Sequence, residues 1–160
     1  TWDGNKAISY SFSGAISKKV ENDTATKEEL ESLRSGENIL LSGKILTGRD
    51  AAHKRIQDML AKGEELPVSF KNRVIYYVGP VDPVRDEAVG PAGPTTATRM
   101  DKFTDMMLEK TGLIGMIGKA ERGPATIKSI AKHILMQVLL VRNLELIAIQ
   151  ITVPGLLTEI

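Results

Sequence analysis

The chain has 160 residues, 42% of them hydrophobic, with 21 Lys and Arg against 20 Asp and Glu, two His and no Cys. A chain of this length buries about 70% of the surface its unfolded form exposes, which suits one domain with a real core. The balanced charge supplies no net field to draw in nucleic acid or an anionic membrane, so any anion site must be local. Without cysteine this chain has no disulfide, thiolate metal ligand or cysteine nucleophile, and two histidines are too few for an all-histidine zinc site.

Residues 1–22 have weak periodicity and several Ser, Gly and Asn. They read as an irregular lead-in or linker from a preceding domain, with the domain proper over 23–160. Thr1 to Tyr10 has no apolar run of the signal-peptide kind, so a cytoplasmic setting is expected, and the start at Thr1 reads as a processed product or a piece of a longer polypeptide. Thr26 and Glu29 form a capping-box pattern ahead of Leu30 and Leu33, predicting a short helix over 27–34. ENILLSGKILTGRD, 37–50, predicts a strand at 39–41, a kink at Ser42-Gly43 and a strand at 45–46. Asp50 is then expected to cap a helix over 51–62, with Ala52, Ile56, Met59 and Leu60 on one face and Gly63 at its end. VIYYV, 74–78, is the strongest buried-strand signal, ended by Gly79-Pro80. A helix is predicted over 101–112, with Met100, Phe103, Met106 and Met107 as core. A strand follows at 113–118 and a helix at 125–132 behind Pro124. The tail is apolar at 134–141 and 144–153 but broken by Arg142-Asn143. Neither half spans a bilayer, and the pair reads as two buried strands or a helix and a strand. The alternation over 37–132 predicts an α/β fold.

Three places share one pattern, in which a strand ends, Gly or Pro bends the chain, and a cation or hydroxyl follows: Thr47-Gly48-Arg49, GPAGPTTATRM at 90–100, and Gly118-Lys119. In α/β sheets such positions face ligands, because the next helix also presents unpaired N–H groups there. Arg49, Arg99 and Lys119 converging would suit a substrate with two carboxylates, since arginine forks match planar carboxylates and lysine adds a point charge. The alternative is that each is a solvent-facing cation at a helix end. One of Thr95 and Thr96 is expected to be a helix N-cap, leaving the other free. Phosphate binding competes, although 90–100 matches neither a P-loop nor a dinucleotide fingerprint. His53 reads as a packing or surface residue, or else as a substrate or interdomain contact. His133 reads as a favourable helix-end imidazole. Asp82, Asp86 and Glu87 read either as carboxylates orienting the cations or as a solvated loop.

The stretches LSGKILTGRDAAHKRI (41–56) and NRVIYYVGPVDPVRDEAVGPAGPTTATRMDKFTDMMLEKTGLIGMIGKAERG (72–123) closely resemble the carboxyl-terminal domain of class I, iron-sulfur-dependent fumarate hydratase, a relative of the L-tartrate dehydratase beta subunit. The resemblance covers about residues 20–133. It implies a swivelling β/β/α domain and an amino-terminal partner domain, fused or separate, holding a [4Fe-4S] cluster through three cysteines. It further implies reversible hydration of fumarate to L-malate in the tricarboxylic acid cycle, with the cluster as Lewis acid, and a homodimer of the complete enzyme. By motif match Arg49, Arg99 and Lys119 are carboxylate clamps and Thr95 is the base that takes the C3 proton of malate. Tartrate dehydratase beta subunit and a degenerate, non-catalytic assembly module are the alternatives. After His133 the tail lacks the glycine- and alanine-rich run of the family, so an aberrant or truncated carboxyl-terminal part is expected, with leucines overpacking a close backbone approach.

Overall fold

The computed structural model describes residues 18–22, 24–33, 39–79, 81–82, 84, 91–133 and 136–140. Lys18–Glu21, within the span read as irregular, forms strand β1 and pairs in parallel with β2, Ile39–Ser42. The pairing places Val20 opposite Leu41, and both are buried. Between them lies α1, Lys27–Glu31, shorter than expected, whose Thr26 hydroxyl accepts the Glu29 N–H as the capping pattern required.

The kink at Ser42-Gly43 does more than bulge one strand. It separates two sheets, because the next strand, β3 at Leu46–Thr47, pairs not with β1 but with β4, Val74–Tyr76. The second sheet continues through β5, Gly115–Lys119, to β6, Met136–Leu140, in the order β3-β4-β5-β6 with every pair parallel. Parallel neighbours need crossovers, and helices supply them: α2 (Asp50–Lys62), α3 (Asp101–Thr111) and α4 (Pro124–His133). Of the two readings of the tail, the described part carries a strand, β6, and residues 144–153 lie outside the described residues.

Side-chain alternation along β4 and the residues after it divides the core. Val74, Tyr76 and Val78 pack with Val20, Ile39, Leu41 and Leu30 on the side of the small sheet. Ile75 and Tyr77 pack with Ile56, Met100, Phe103 and Met107 on the side of the helices. A strand covered on both faces must be apolar at every position, which is why VIYYV is a continuous run and not an alternating one. Met100 and Met107 are core, as expected, each no more than 2% exposed.

Candidate functional site

The carboxyl ends of β3, β4 and β5 lie side by side, and each differs from a plain strand end. After β3, Gly48 N–H donates to Tyr76 O at 3.2 Å and α2 begins at once. Asp50 is not its cap. It is the first helical residue, where a carboxylate favours the positive end of the helix, and Arg49 takes the N-cap position without any side-chain cap bond. The Arg49 carbonyl instead accepts from both His53 N–H (3.0 Å) and His53 Nδ1 (2.7 Å). The Arg49 side chain rests on Gly79: a Cβ there would stand 2.7 Å from Nη1 and 3.3 Å from Cδ.

Beyond Tyr76 the sheet splits. Tyr77 N–H still donates to Ile117 O, but the chain that left at Val78 returns as Thr95-Thr96-Ala97 and inserts between the ends of β4 and β5. Thr95 N–H donates to Tyr77 O (2.7 Å), Lys119 N–H to Thr95 O (3.0 Å), and Ala97 N–H to Lys119 O (2.7 Å). Gly118 permits the insertion, since a Cβ there would lie 2.9 Å from both Ala97 Cβ and Tyr77 Cδ2. Neither threonine caps a helix. The Thr95 hydroxyl donates to Tyr77 O at 2.7 Å, and α3 is entered through a 3-10 turn, Thr98–Met100, with Met100 at its N-cap position.

These elements enclose a cavity of about 220 Å³ lined by Arg49, Asp50, Thr95, Thr96, Arg99, Met100 and Lys119. All four residues singled out from sequence therefore share one lining. Its volume lies below the roughly 300–1,000 Å³ of drug-sized ligand sites, and suits a small acid better than a nucleotide. Three cations face one carboxylate. That carboxylate, Asp50, pairs with Arg99 (Nη2 to Oδ2, 3.1 Å) with the Arg99 side chain still 61% exposed. Sequence reasoning missed Asp50 as a site residue, although its place directly after Arg49 was the available signal.

His53 belongs to the floor and not to the lining. It is fully buried, its ring 5.5 Å from that of Tyr77 and 5.6 Å from that of Phe103. Because a carbonyl only accepts, Nδ1 carries the proton and Nε2 is left without a partner. Burial pushes its pKa below the usual value, outweighing the Arg49 hydrogen bond and the Asp50 charge, which act the other way. Burial also pushes the Tyr77 hydroxyl up to about 12. His133 ends α4, with Nε2 4.0 Å from Glu109. Asp82 is exposed, and Asp86 and Glu87 lie outside the described residues.

The class of protein that fold and site define is thus a parallel α/β domain with a cation-lined cavity at adjacent strand ends, the usual place for a ligand in such sheets. The chain belongs to the fumarase C-terminus family, whose sequence pattern matches residues 5–140. It is 34% identical over 118 residues to the anaerobic class I fumarate hydratase of Escherichia coli, covering 72% of this chain and 22% of that protein. It is 38% identical over 93 residues to the aerobic class I enzyme of Salmonella typhimurium, covering 58% of this chain and 16% of the relative. It is 36% identical over 96 residues to a putative L(+)-tartrate dehydratase subunit beta of Methanocaldococcus jannaschii, covering 59% of this chain and 49% of the subunit. The chain thus spans about a fifth of the fumarate hydratases it matches and about half of the tartrate subunit. Among the described residues no helix is long and apolar enough to cross a membrane.

Proposed function

We propose that this chain is the substrate-clamping half of a cytoplasmic hydro-lyase that interconverts fumarate and L-malate, closing as a swivelling domain over a site shared with an amino-terminal domain in a dimeric enzyme. The observation that carries this reading is the convergence of Arg49, Arg99, Lys119 and Thr95 on one cavity. Arg49 and Arg99 come from different elements and offer planar forks to separate carboxylates, while Lys119 adds a compact charge. Removing a proton from the carbon next to a carboxylate spreads charge onto that carboxylate, and fixed cations stabilise it without rearranging.

Thr95 is the residue assigned to take the C3 proton of malate. An isolated hydroxyl has no useful basicity, and here its own proton is engaged by the Tyr77 carbonyl. To act as the base Thr95 first gives its own proton to solvent, since the Tyr77 carbonyl only accepts it in a hydrogen bond, and the cations sharing its cavity lower the cost of the alkoxide left behind. The acid that protonates the departing C2 hydroxyl belongs to the amino-terminal domain. The residues of this chain do not fit a [4Fe-4S] cluster: it has no cysteine, and no three His, Asp or Glu side chains converge among the described residues. On this reading the cluster implied by the family resemblance is held by the amino-terminal domain.

The test is anaerobic fumarate hydration by this chain mixed with a separately expressed, cluster-reconstituted amino-terminal domain, beside the same mixture carrying Thr95→Ala. Turnover abolished by Thr95→Ala is expected, with no turnover from this chain alone. Unchanged turnover in Thr95→Ala would remove Thr95 from the chemistry. A second substrate, L-tartrate, belongs in the same assay, because the tartrate subunit is the relative of which this chain covers the larger share. Dehydration of tartrate but not malate would move the assignment to that reaction.

A further inference from the structure

Behind the cavity two segments run together, one carrying Arg99 and the other Lys119. Thr96 bridges Lys119 in parallel, and the Thr98 hydroxyl donates to Glu121 O. Farther from the cavity, Arg122 Nε donates to Asp101 Oδ1 at 2.5 Å, and Gly123 N–H donates to Asp101 Oδ2 at 2.7 Å. Both oxygens of one carboxylate are thus engaged by the opposite segment. The Arg122 guanidinium is completed by Nη2 donating to Thr104 Oγ1, by Met116 Sδ 3.9 Å from Nη1, and by the Tyr77 ring, whose centroid is 5.8 Å away.

The Arg122 side chain is 2% exposed and does not line the cavity. Burying a guanidinium carries a heavy desolvation cost, and an apolar residue of similar volume commonly holds a fold as well or better. Stability alone is therefore a poor account of an arginine here. Its geometry gives a better one. Asp101 follows Arg99 by two residues, and Arg122 follows Lys119 by three, so the buried pair fixes the register between the backbones from which the two cations project.

We propose that Arg122, with Asp101, is a positioning pair that makes Arg99 and Lys119 one rigid unit, whereas Arg49 takes its position from the start of α2, outside the pair's direct contacts. This inference rests on the carboxylate-clamping reading and adds to it which clamps are coupled.

Two measurements on Arg122→Lys test it. The first is hydrogen exchange of the 160-residue chain, which needs no activity. Exchange is expected to quicken in 95–101 and 119–123 together and to stay unchanged over 49–56; quickening in only one of the two segments, or equally in α2, overturns the proposal. The second is a set of double-mutant cycles on KM for fumarate in the reconstituted mixture. Arg122→Lys is expected to raise KM about tenfold, non-additively with Arg99→Ala and with Lys119→Ala but additively with Arg49→Ala. A purely structural role predicts the same additivity with all three and would sink it. Where Arg122→Lys does not fold, Asp101→Asn, which removes the charge of the pair but keeps an acceptor oxygen, carries both measurements at smaller amplitude. A wild-type mixture without turnover counts against the hydration reading, and the exchange pattern then decides the positioning role.

Discussion

The two walls of the cavity are built on different principles. On one, Arg49 is held at its backbone by His53 and its guanidinium simply lies over a glycine. On the other, Arg99 and Lys119 project from segments joined through backbone bonds, a hydroxyl and a buried ion pair. The ion pair that crosses between the walls among the described residues, Arg99 to Asp50, is half exposed, and pairs of that kind contribute only about 0–1 kcal/mol. On the clamping reading proposed above, the joined wall would be the fixed one, holding one carboxylate, and the Arg49 wall the adjustable one, adapting to the second.

The largest way to break this contrast is Asp101→Ala. It leaves the Arg122 cation buried without its partner, and urea denaturation should register a loss of about 3–5 kcal/mol. Asp50→Ala, which breaks the exposed pair on the other wall, should cost less than about 1 kcal/mol in the same assay. Comparable losses would erase the distinction between the walls.

Acid addresses the adjustable wall. The folded pKa of His53 is depressed by burial, so below the ordinary imidazole value near about 6.5 the unfolded chain binds a proton that the folded chain refuses. The His53 contribution is therefore complete above that value and is lost as pH falls toward the depressed pKa. Stability measured from pH 7 to 5 should decline, and His53→Phe should flatten the decline. An unchanged slope in that variant would mean that the imidazole is not held neutral under Arg49.

The smallest stability effect is expected of Gly79→Ala. The atoms met by the new methyl belong to the far end of the Arg49 side chain, and the φ of Gly79 lies outside the left-handed region that penalises a side chain. Thermal unfolding should change by no more than about 0.5 kcal/mol, while fumarate binding weakens as the guanidinium is displaced. The binding loss should vanish in an Arg49→Ala background.

Much of this architecture was legible in local pattern. The helix ending at Gly63 and the Thr26 cap depend on neighbours within a few residues and stand as expected, and the VIYYV run is buried throughout although its strand ends at Tyr76, short of the expected Gly79-Pro80. Arg49 and Lys119 could be singled out because glycine punctuation marks the strand ends beside them, and Arg99 because GPAGP precedes its turn; all three line the one cavity. What failed was anything set by contacts across the fold. Asp50 and the threonine pair looked like caps, yet the ends of β4 and β5 claim the Thr95 backbone and hydroxyl before a helix can. Arg122 carries no local sign that separates it from the exposed cations around it. Its burial is created by Asp101 and Thr104, roughly twenty positions earlier in the chain. Strand β1 escaped notice because four residues acquire a regular shape only when β2 is beside them.

The excursion between β4 and the returning threonines closes on itself before it reaches the sheet. Val81 N–H donates to Pro91 O, and the Tyr76 hydroxyl donates to Ala92 O. A neck of this kind isolates whatever lies beyond it from the register of the strands below. Doubling the length of such a loop adds only about 0.6 kcal/mol of closure entropy. Residues added to the chain beyond this neck would therefore leave the pairing of Thr95 and Ala97 with Tyr77 and Lys119 as it is.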